Sequence, residues 1–242
     1  YDSVDVAAAT AHGIAVAVAP GFTDSVADYV FGLLLAVARQ VTLADRLVRE
    51  RRWEVLVSAN IAGKTMGIIG LGRIGKAVAR RAHGFDMPVL AADVVRDEAF
   101  AARYGVQYVP LETLLRQSDV VSINAPLQGD TQHLIDADAL ASMKPTAYLI
   151  NTARGDLVDE AALAAALCAG RLAGAGLDVF HDEPLRDSPL RGLDNVVLSP
   201  HLAAYSREGL RETGLLAARA VLDVLAGGAP AAGQWINPEA AA

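Results

Sequence analysis

The sequence predicts an α/β protein: a doubly wound, mostly parallel sheet with helices on both faces, plus a remnant of a second domain. Three observations predict it. Short apolar runs alternate with helical patterns from residue 65 to residue 199, the mark of parallel strands joined by crossover helices. The first run, TMGIIGLGRIG over residues 65–75, collapses into glycines and opens into KAVARRAHGF, which reads as strand, tight turn and helix start. The next run, PVLAA, ends on Asp93, about twenty residues past the glycines, where a dinucleotide-binding βαβ unit places an acid.

In chain order, residues 1–22 read as a short helix, VDVAAATAHG, and a strand, IAVAVAP, closed by the Pro20-Gly21 turn. Two elements cannot make a domain. Thr23 or Asp24 can cap one long helical pattern over 25–53, apolar on a broad face in its first half and charged in its second. Such a helix bridges units or dimerises. After the glycine strand come a strand at 88–92, a helix at 98–103, a strand at 106–109 and a helix at 111–116. Strand 119–123, helix 138–143, strand 147–151, helix 159–169, strands 174–179 and 195–199, and a last helix at 205–225 complete the pattern.

Composition narrows the function classes. The chain has 242 residues, 53% hydrophobic, with mean hydropathy +0.30, enough for a sizeable core. A net charge of −7 with no basic cluster argues against nucleic acid and anionic membrane surfaces as partners. The single cysteine, Cys168, lies in an alanine-rich helical run, reads as a small buried apolar residue, and fits a reducing, cytoplasmic setting. No apolar run reaches membrane-span length, the best being 29–38, and no signal peptide is visible. His12, His83, His133 and His181 lack metal-ligand spacing, so no metal is expected. Trp53 and Trp235 read as packing, with Trp53 following the basic run Arg49-Glu50-Arg51-Arg52.

The glycines carry specific chemistry. Gly70 can take the tight turn, Gly72 lets backbone approach a pyrophosphate, and Gly75 permits close helix–strand packing. The pyrophosphate would meet the free N–H groups of the helix N-terminus. Asp93 can accept from the adenosine ribose hydroxyls and would repel a 2′-phosphate, so this Rossmann-type arrangement favours NAD over NADP.

In open parallel sheets ligands sit outside the carboxyl ends of the strands. There the fourth strand delivers Asn124-Ala125-Pro126, the fifth Thr152-Ala153-Arg154-Gly155, the sixth Asp178 and then Asp182-Glu183-Pro184, and the seventh Pro200-His201. Arginine, glutamate and histidine thus share one rim with the expected nicotinamide site. Hydride transfer to a 2-oxo acid needs a cation to hold the carboxylate and polarise the ketone, and a planar arginine suits it. It also needs a proton donor, for which a histidine oriented and kept charged by a carboxylate is suited.

The segments GKTMGIIGLGRIGKAVA, INAPLQGDTQHLID, MKPTAYLINTARGDLVDEAAL, GRLAGAGLDVFHDEPL and NVVLSPHLAAY resemble the D-isomer-specific 2-hydroxyacid dehydrogenases, the family of glyoxylate/hydroxypyruvate reductases and 3-phosphoglycerate dehydrogenases. The resemblance implies that Arg154 contacts a small 2-oxo or 2-hydroxy acid, that Glu183 supports the histidine, and that His201 is the acid/base. It further implies that Arg73 and Ile74, with Gly70, Gly72, Gly75, Asp93, Asn124, Pro126, Thr131, Thr152, Ala153 and Asp178, line the cofactor, NAD, with Asp178 at the carboxamide. It divides the chain into 1–22 as the end of a substrate domain, 23–204 as the NAD-binding domain, and 205–242 as a helix and tail returning towards the substrate domain. It also implies a homodimer built on the 26–52 helix. The family carries more of the substrate domain ahead of this point, so the sequence is expected to be a fragment. The alternative is an NAD-binding module without turnover, either a truncated enzyme or a corepressor-like protein.

Overall fold

The computed structural model describes residues 4–231 and 233–241, so residues 1–3 of the 1–22 segment, and residues 232 and 242 of the C-terminal one, lie outside the described residues. The helices are α1 (Val6–Ala11), α2 (Thr23–Ala38), α3 (Val41–Arg49), α4 (Arg73–Gly84), α5 (Glu98–Tyr104), α6 (Leu111–Gln117), α7 (Ala137–Ser142), α8 (Glu160–Cys168) and α9 (Arg207–Leu225). The strands are β1 (Met66–Ile69), β2 (Val89–Ala92), β3 (Val106–Tyr108), β4 (Val120–Ile123), β5 (Tyr148–Asn151), β6 (Gly174–Leu177) and β7 (Val196–Leu198). Two compact units emerge, Val26–Ala203 on one hand and Tyr1–Ser25 with Ala204–Ala242 on the other.

In the first unit the strands form one sheet in the order β3-β2-β1-β4-β5-β6-β7, parallel at every pairing. The sequence pattern promised a mostly parallel sheet; it is wholly parallel. β1, β4, β5 and β6 are buried at every position, which is why they read as continuous apolar runs rather than alternating ones. Successive residues nonetheless face opposite ways. Ile68 and Ile150 join the core under α2 and α4, while Ile69 and Leu149 join the core under α6, α7 and α8.

Register is what positions the site. Ile69 pairs with both Ala92 and Ile123, Ile123 with Asn151, Asn151 with Leu177, and Leu177 with Leu198. The C-terminal ends of six strands are therefore level, and the residues that follow them form one rim. Close packing of helix on sheet uses glycine where no Cβ fits. One at Gly176 would lie 2.9 Å from Leu33 Cβ, and one at Gly174 2.7 Å from Val37 Cγ2, so α2 rests directly on β6. Aspartates at positions 97, 136 and 159 cap α5, α7 and α8 by accepting from backbone N–H groups of the first turn.

Three expectations change here. The helix foreseen over 25–53 is two helices, because Gln40 takes a left-handed conformation (φ 54°) and α3 leaves α2 at 60°. The break is held by later chain: Ala59 N–H donates to the Ala38 carbonyl, Arg39 Nε to Ser58 Oγ, and Gln40 Nε2 to the Val57 carbonyl. Residues 50–53 lie beyond α3, and Trp53 is 90% exposed, so it is not part of the core of the described residues. Cys168 is exposed rather than buried, because it sits at the end of α8 on the side turned from the sheet. No single helix among the described residues is long and apolar enough to cross a membrane.

In the second unit, Asp5 caps α1 by accepting from Ala8 N–H. Fully buried Asn237 accepts from Val16 N–H and donates to Thr10 Oγ1 and the Ile14 carbonyl. The strand foreseen in IAVAVAP is reduced to a single antiparallel bridge between Ala17 and Trp235. Gly233 (φ 79°) and Pro238 bound the partner stretch on either side and end the ladder there. Gly21 lies so close to α9 that a Cβ would meet Thr213 N at 2.3 Å.

Candidate active site

The glycine loop after β1 is built as its chemistry requires. Gly70 has φ 87°, and a Cβ there would sit 2.7 Å from Ala125 N at the end of β4; both facts demand glycine. At Gly75 a Cβ would lie 2.1 Å from the Gly70 carbonyl oxygen, so the first turn of α4 is pressed onto the loop. At Gly72 a Cβ would meet nothing within 4 Å. Gly72 is the N-cap of α4 and supplies no side-chain acceptor, which leaves the first N–H groups of a 12-residue helix for an anion. Arg73 is exposed and Ile74 half-buried beside them. Asp93, at the end of β2, accepts from Leu71 N–H through Oδ2 (2.6 Å) and from Val95 N–H through Oδ1 (2.9 Å). Its carboxylate is thereby fixed against the glycine loop. A dinucleotide fits this cradle: a pyrophosphate at Gly72 and the α4 N-terminus, and a ribose at Asp93.

The other walls come from the rim. Asn124 Nδ2 donates to the carbonyl and hydroxyl of Ser122, so the Asn124 side chain folds back towards β4. Thr131 Oγ1 donates to the Pro126 carbonyl and accepts from Gln128 N–H, giving the 126–131 loop its shape. Buried Asn151 accepts from Ala153 N–H and donates to the Arg154 carbonyl. That pair of bonds shapes the turn through Thr152, Ala153 and Arg154, and Arg154 Nη1 donates to the Ala153 carbonyl at 2.7 Å.

His201 stands at the end of β7 in a left-handed conformation (φ 55°), which a non-glycine residue holds at some cost. Fully buried Asp178 pins it. The Asp178 carbonyl accepts His201 N–H (2.9 Å), and its carboxylate accepts from Ser199 Oγ (2.6 Å), Leu202 N–H (2.8 Å) and Ala203 N–H (2.8 Å). Sequence reasoning placed Asp178 at the cofactor; the structure adds that its carboxylate organises the turn carrying His201. Glu183 Oε1 accepts from Phe180 N–H, and its Oε2 lies 2.7 Å from His201 Nδ1. Beside this pair opens a cavity of about 590 Å³ lined by Phe180, Glu183, Pro184, Leu185, Arg191, Leu198, Ser199, Pro200 and His201.

The rim thus brings Glu183 and His201 into direct contact and sets Arg154 on the strand-end turn before β6. Among the described residues no group of three or more His, Cys, Asp or Glu could hold a metal ion. Sequence reasoning missed the contacts of Asp156 and Glu160 with His181. No spacing in the chain signals them, because they join the loop after β6 to the turn ahead of α8 and to the first residue of α8.

Fold and rim together define a dinucleotide-binding dehydrogenase domain of the doubly wound class. Residues 31–203 match the model of the D-isomer specific 2-hydroxyacid dehydrogenase NAD binding domain, and the chain belongs to that family. It is 51% identical over 216 residues to a glyoxylate reductase of Korarchaeum cryptofilum, covering 86% of this chain and 65% of the reductase. Among solved structures it superposes on the TT0316 protein of Thermus thermophilus with TM-score 0.90 and 38% identity, over 98% of this chain and 76% of that one. A D-lactate dehydrogenase of Aquifex aeolicus, solved with NAD and lactic acid, gives TM-score 0.88 and 30% identity over 98% and 77% of the two chains. The chain spans just under two thirds of the length of the glyoxylate reductase.

Proposed function

We propose that this chain is the NAD-binding and acid/base portion of an oxidoreductase that interconverts a small 2-oxo acid and the D-2-hydroxy acid. The observation that carries the reading is the 2.7 Å contact between His201 Nδ1 and Glu183 Oε2. It engages one ring nitrogen and leaves Nε2 to deliver or take the proton. When bound, NADH supplies the hydride. Arg154 holds the substrate carboxylate and polarises the ketone, His201 gives its Nε2 proton to the oxygen as it becomes a hydroxyl, and Glu183 fixes the ring. In the oxidative direction neutral His201 takes the hydroxyl proton.

Asp93 makes NAD rather than NADP the preferred cofactor. The 1–22 segment is the end of the substrate domain of the whole protein, and the 205–242 helix and tail return towards that domain. A homodimer uses the exposed stretch after α3, where Trp53, Val55 and Val57 are each 90% exposed or more, an arrangement a lone chain leaves without a purpose. The protein works in the cytoplasm, in keeping with an exposed, unpaired Cys168. The test is NADH oxidation by the full-length protein with glyoxylate, hydroxypyruvate and pyruvate. Turnover with at least one is expected, and NADH binding without turnover on any of them would sink the reading in favour of a binding module.

A further inference from the structure

Arg154 and Glu183 sit on different loops, one after β5 and one after β6, and their mutual position depends on what joins those loops. Three contacts do so: one of backbone on backbone, one of backbone on side chain and one of side chains. At Gly155 a Cβ would lie 1.9 Å from the Phe180 carbonyl carbon and 2.4 Å from His181 N, so the loops touch backbone to backbone one residue from Arg154. Immediately beyond, His181 is held twice. Its N–H donates to Glu160 Oε1 at 2.6 Å, and its Nδ1 bonds Asp156 Oδ1. Asp156 is itself fixed, since its carbonyl accepts His133 N–H at 2.7 Å.

We propose that the Asp156–His181–Glu160 cluster is a clasp that positions Arg154 relative to the Glu183–His201 pair. His181 acts through its neighbours. The path runs from Arg154 through Gly155 to Asp156, across to His181, and along the 180–183 backbone, in which Phe180 N–H is already bound by Glu183 Oε1 at 3.1 Å. Glu183 Oε2 completes it at His201. The Asp156 carboxylate beside His181 holds its imidazole above the ordinary histidine range, with Asp182 and Glu160 adding to the same effect. Glu183, Arg186 and Asp187 are the other charged groups around the cleft that His181 lines. A pair this exposed, 63% for the His181 side chain and 29% for Asp156, adds little to stability. Its value is geometric, because displacement of a substrate-holding group by about 1 Å can cost a large factor in rate.

This inference rests on the proposed oxidoreductase reading for its kinetic consequence but not for its structural one, so two measurements separate them. The first needs no turnover. The chain has five histidines, and their ring signals can be followed by NMR in the full-length protein. Asp156→Asn is expected to shift the ring signals of His181 and also those of His201, whereas His83→Gln, a change at the exposed end of α4, shifts neither. If the His201 signals stay in place in Asp156→Asn and in His181→Ala alike, no coupling runs through the clasp and the proposal falls. The second is kinetic. His181→Ala is expected to lower kcat and raise the 2-oxo acid KM together, for a loss in kcat/KM of about tenfold, with NADH affinity unchanged. His181→Gln, whose amide can still donate to Asp156, is expected to recover most of it. The double change His181→Ala with Asp156→Asn should cost no more than either alone. Losses that simply add, or that fall on NADH affinity, would overturn the positioning role. A parent inactive on every 2-oxo acid yet showing the His201 shift would count against the enzyme reading and leave the clasp standing.

Discussion

Glu183 Oε2 and His201 Nδ1 lie 2.7 Å apart, although they belong to different loops and His201 reaches its place only through a left-handed backbone turn. The contact orients the ring through one nitrogen, and in the proposed reaction the other nitrogen carries the proton. His201→Gln is accordingly expected to lower the rate of 2-oxo acid reduction by roughly 10²–10⁴ with NADH affinity unchanged. Glu183→Gln should cost less, about tenfold or more, since an amide can still touch the ring without stabilising its charge. Steady-state rates alongside NADH fluorescence titration decide this, and intact turnover in His201→Gln would return the pair to a structural role.

Arg154→Lys is expected to raise KM for the 2-oxo acid at least about tenfold while NADH binding is preserved. An ammonium is a point charge and cannot reproduce the two-pronged grip of a planar guanidinium. An unchanged KM would remove Arg154 from the substrate.

Asp93 is held by Leu71 and Val95 N–H groups, so its charge cannot swing away from a 2′-phosphate, and Val94 and Val95 are exposed apolar neighbours. Arg96 stacks over the Tyr108 ring at 5.3 Å rather than reaching towards Asp93. NADH should bind more tightly than NADPH, and Asp93→Ser should narrow the gap. Equal or tighter NADPH binding by the parent would overturn the preference and turn attention to Arg96.

How much of this was legible in the sequence depends on the range over which each cause acts. The strands were legible because burial on both faces makes them unbroken apolar runs, and Gly70 and Gly75 because steric demand leaves one residue type at each. The Glu183–His201 contact could be anticipated because parallel register brings strand ends level. Gln40 was not legible: residues 57–59, beyond the helix, take its last acceptors and donors, and helical periodicity carries no trace of them. The same holds for the single bridge at Ala17 and for the exposure of Cys168, which depends on how α8 is rolled against the sheet.

Asp119 offers a test of stability against pH. Burial raises its carboxyl, but the Lys144 ammonium at 2.9 Å and the Thr65 N–H at 2.9 Å more than offset that, leaving it below its ordinary value. A depressed carboxyl contributes stability that is present above its unfolded pKa, about 3.9, and is lost as pH falls through the lower folded value. Asp119→Asn should therefore be less stable than the parent at neutral pH, by about 1–3 kcal/mol, with the difference shrinking below about pH 4. Denaturant melts at pH 7 and pH 3 would show it, and an equal difference at both would refute it.

Sedimentation at micromolar concentration should give a dimer, and Trp53→Ala should weaken it, because Trp53, Val55 and Val57 present apolar side chains to solvent in sequence. A parent that stays monomeric would leave that stretch without the proposed partner.

The 60° turn at Gln40 does more than shorten a helix. Among the described residues β7 pairs only with β6, so one side of it is an edge, the kind of template on which sheets of separate molecules can pair and aggregate. The turn sets α3 on a heading different from that of α2. Turned at Gln40, α3 brings Thr42, Leu43 and Arg46 around a cleft shared with Val196, Val197 and Leu198, and Arg46 reaches Asp194 just ahead of the strand. A single residue in an unfavourable backbone conformation thus sets a helix across a cleft from the last strand of the sheet.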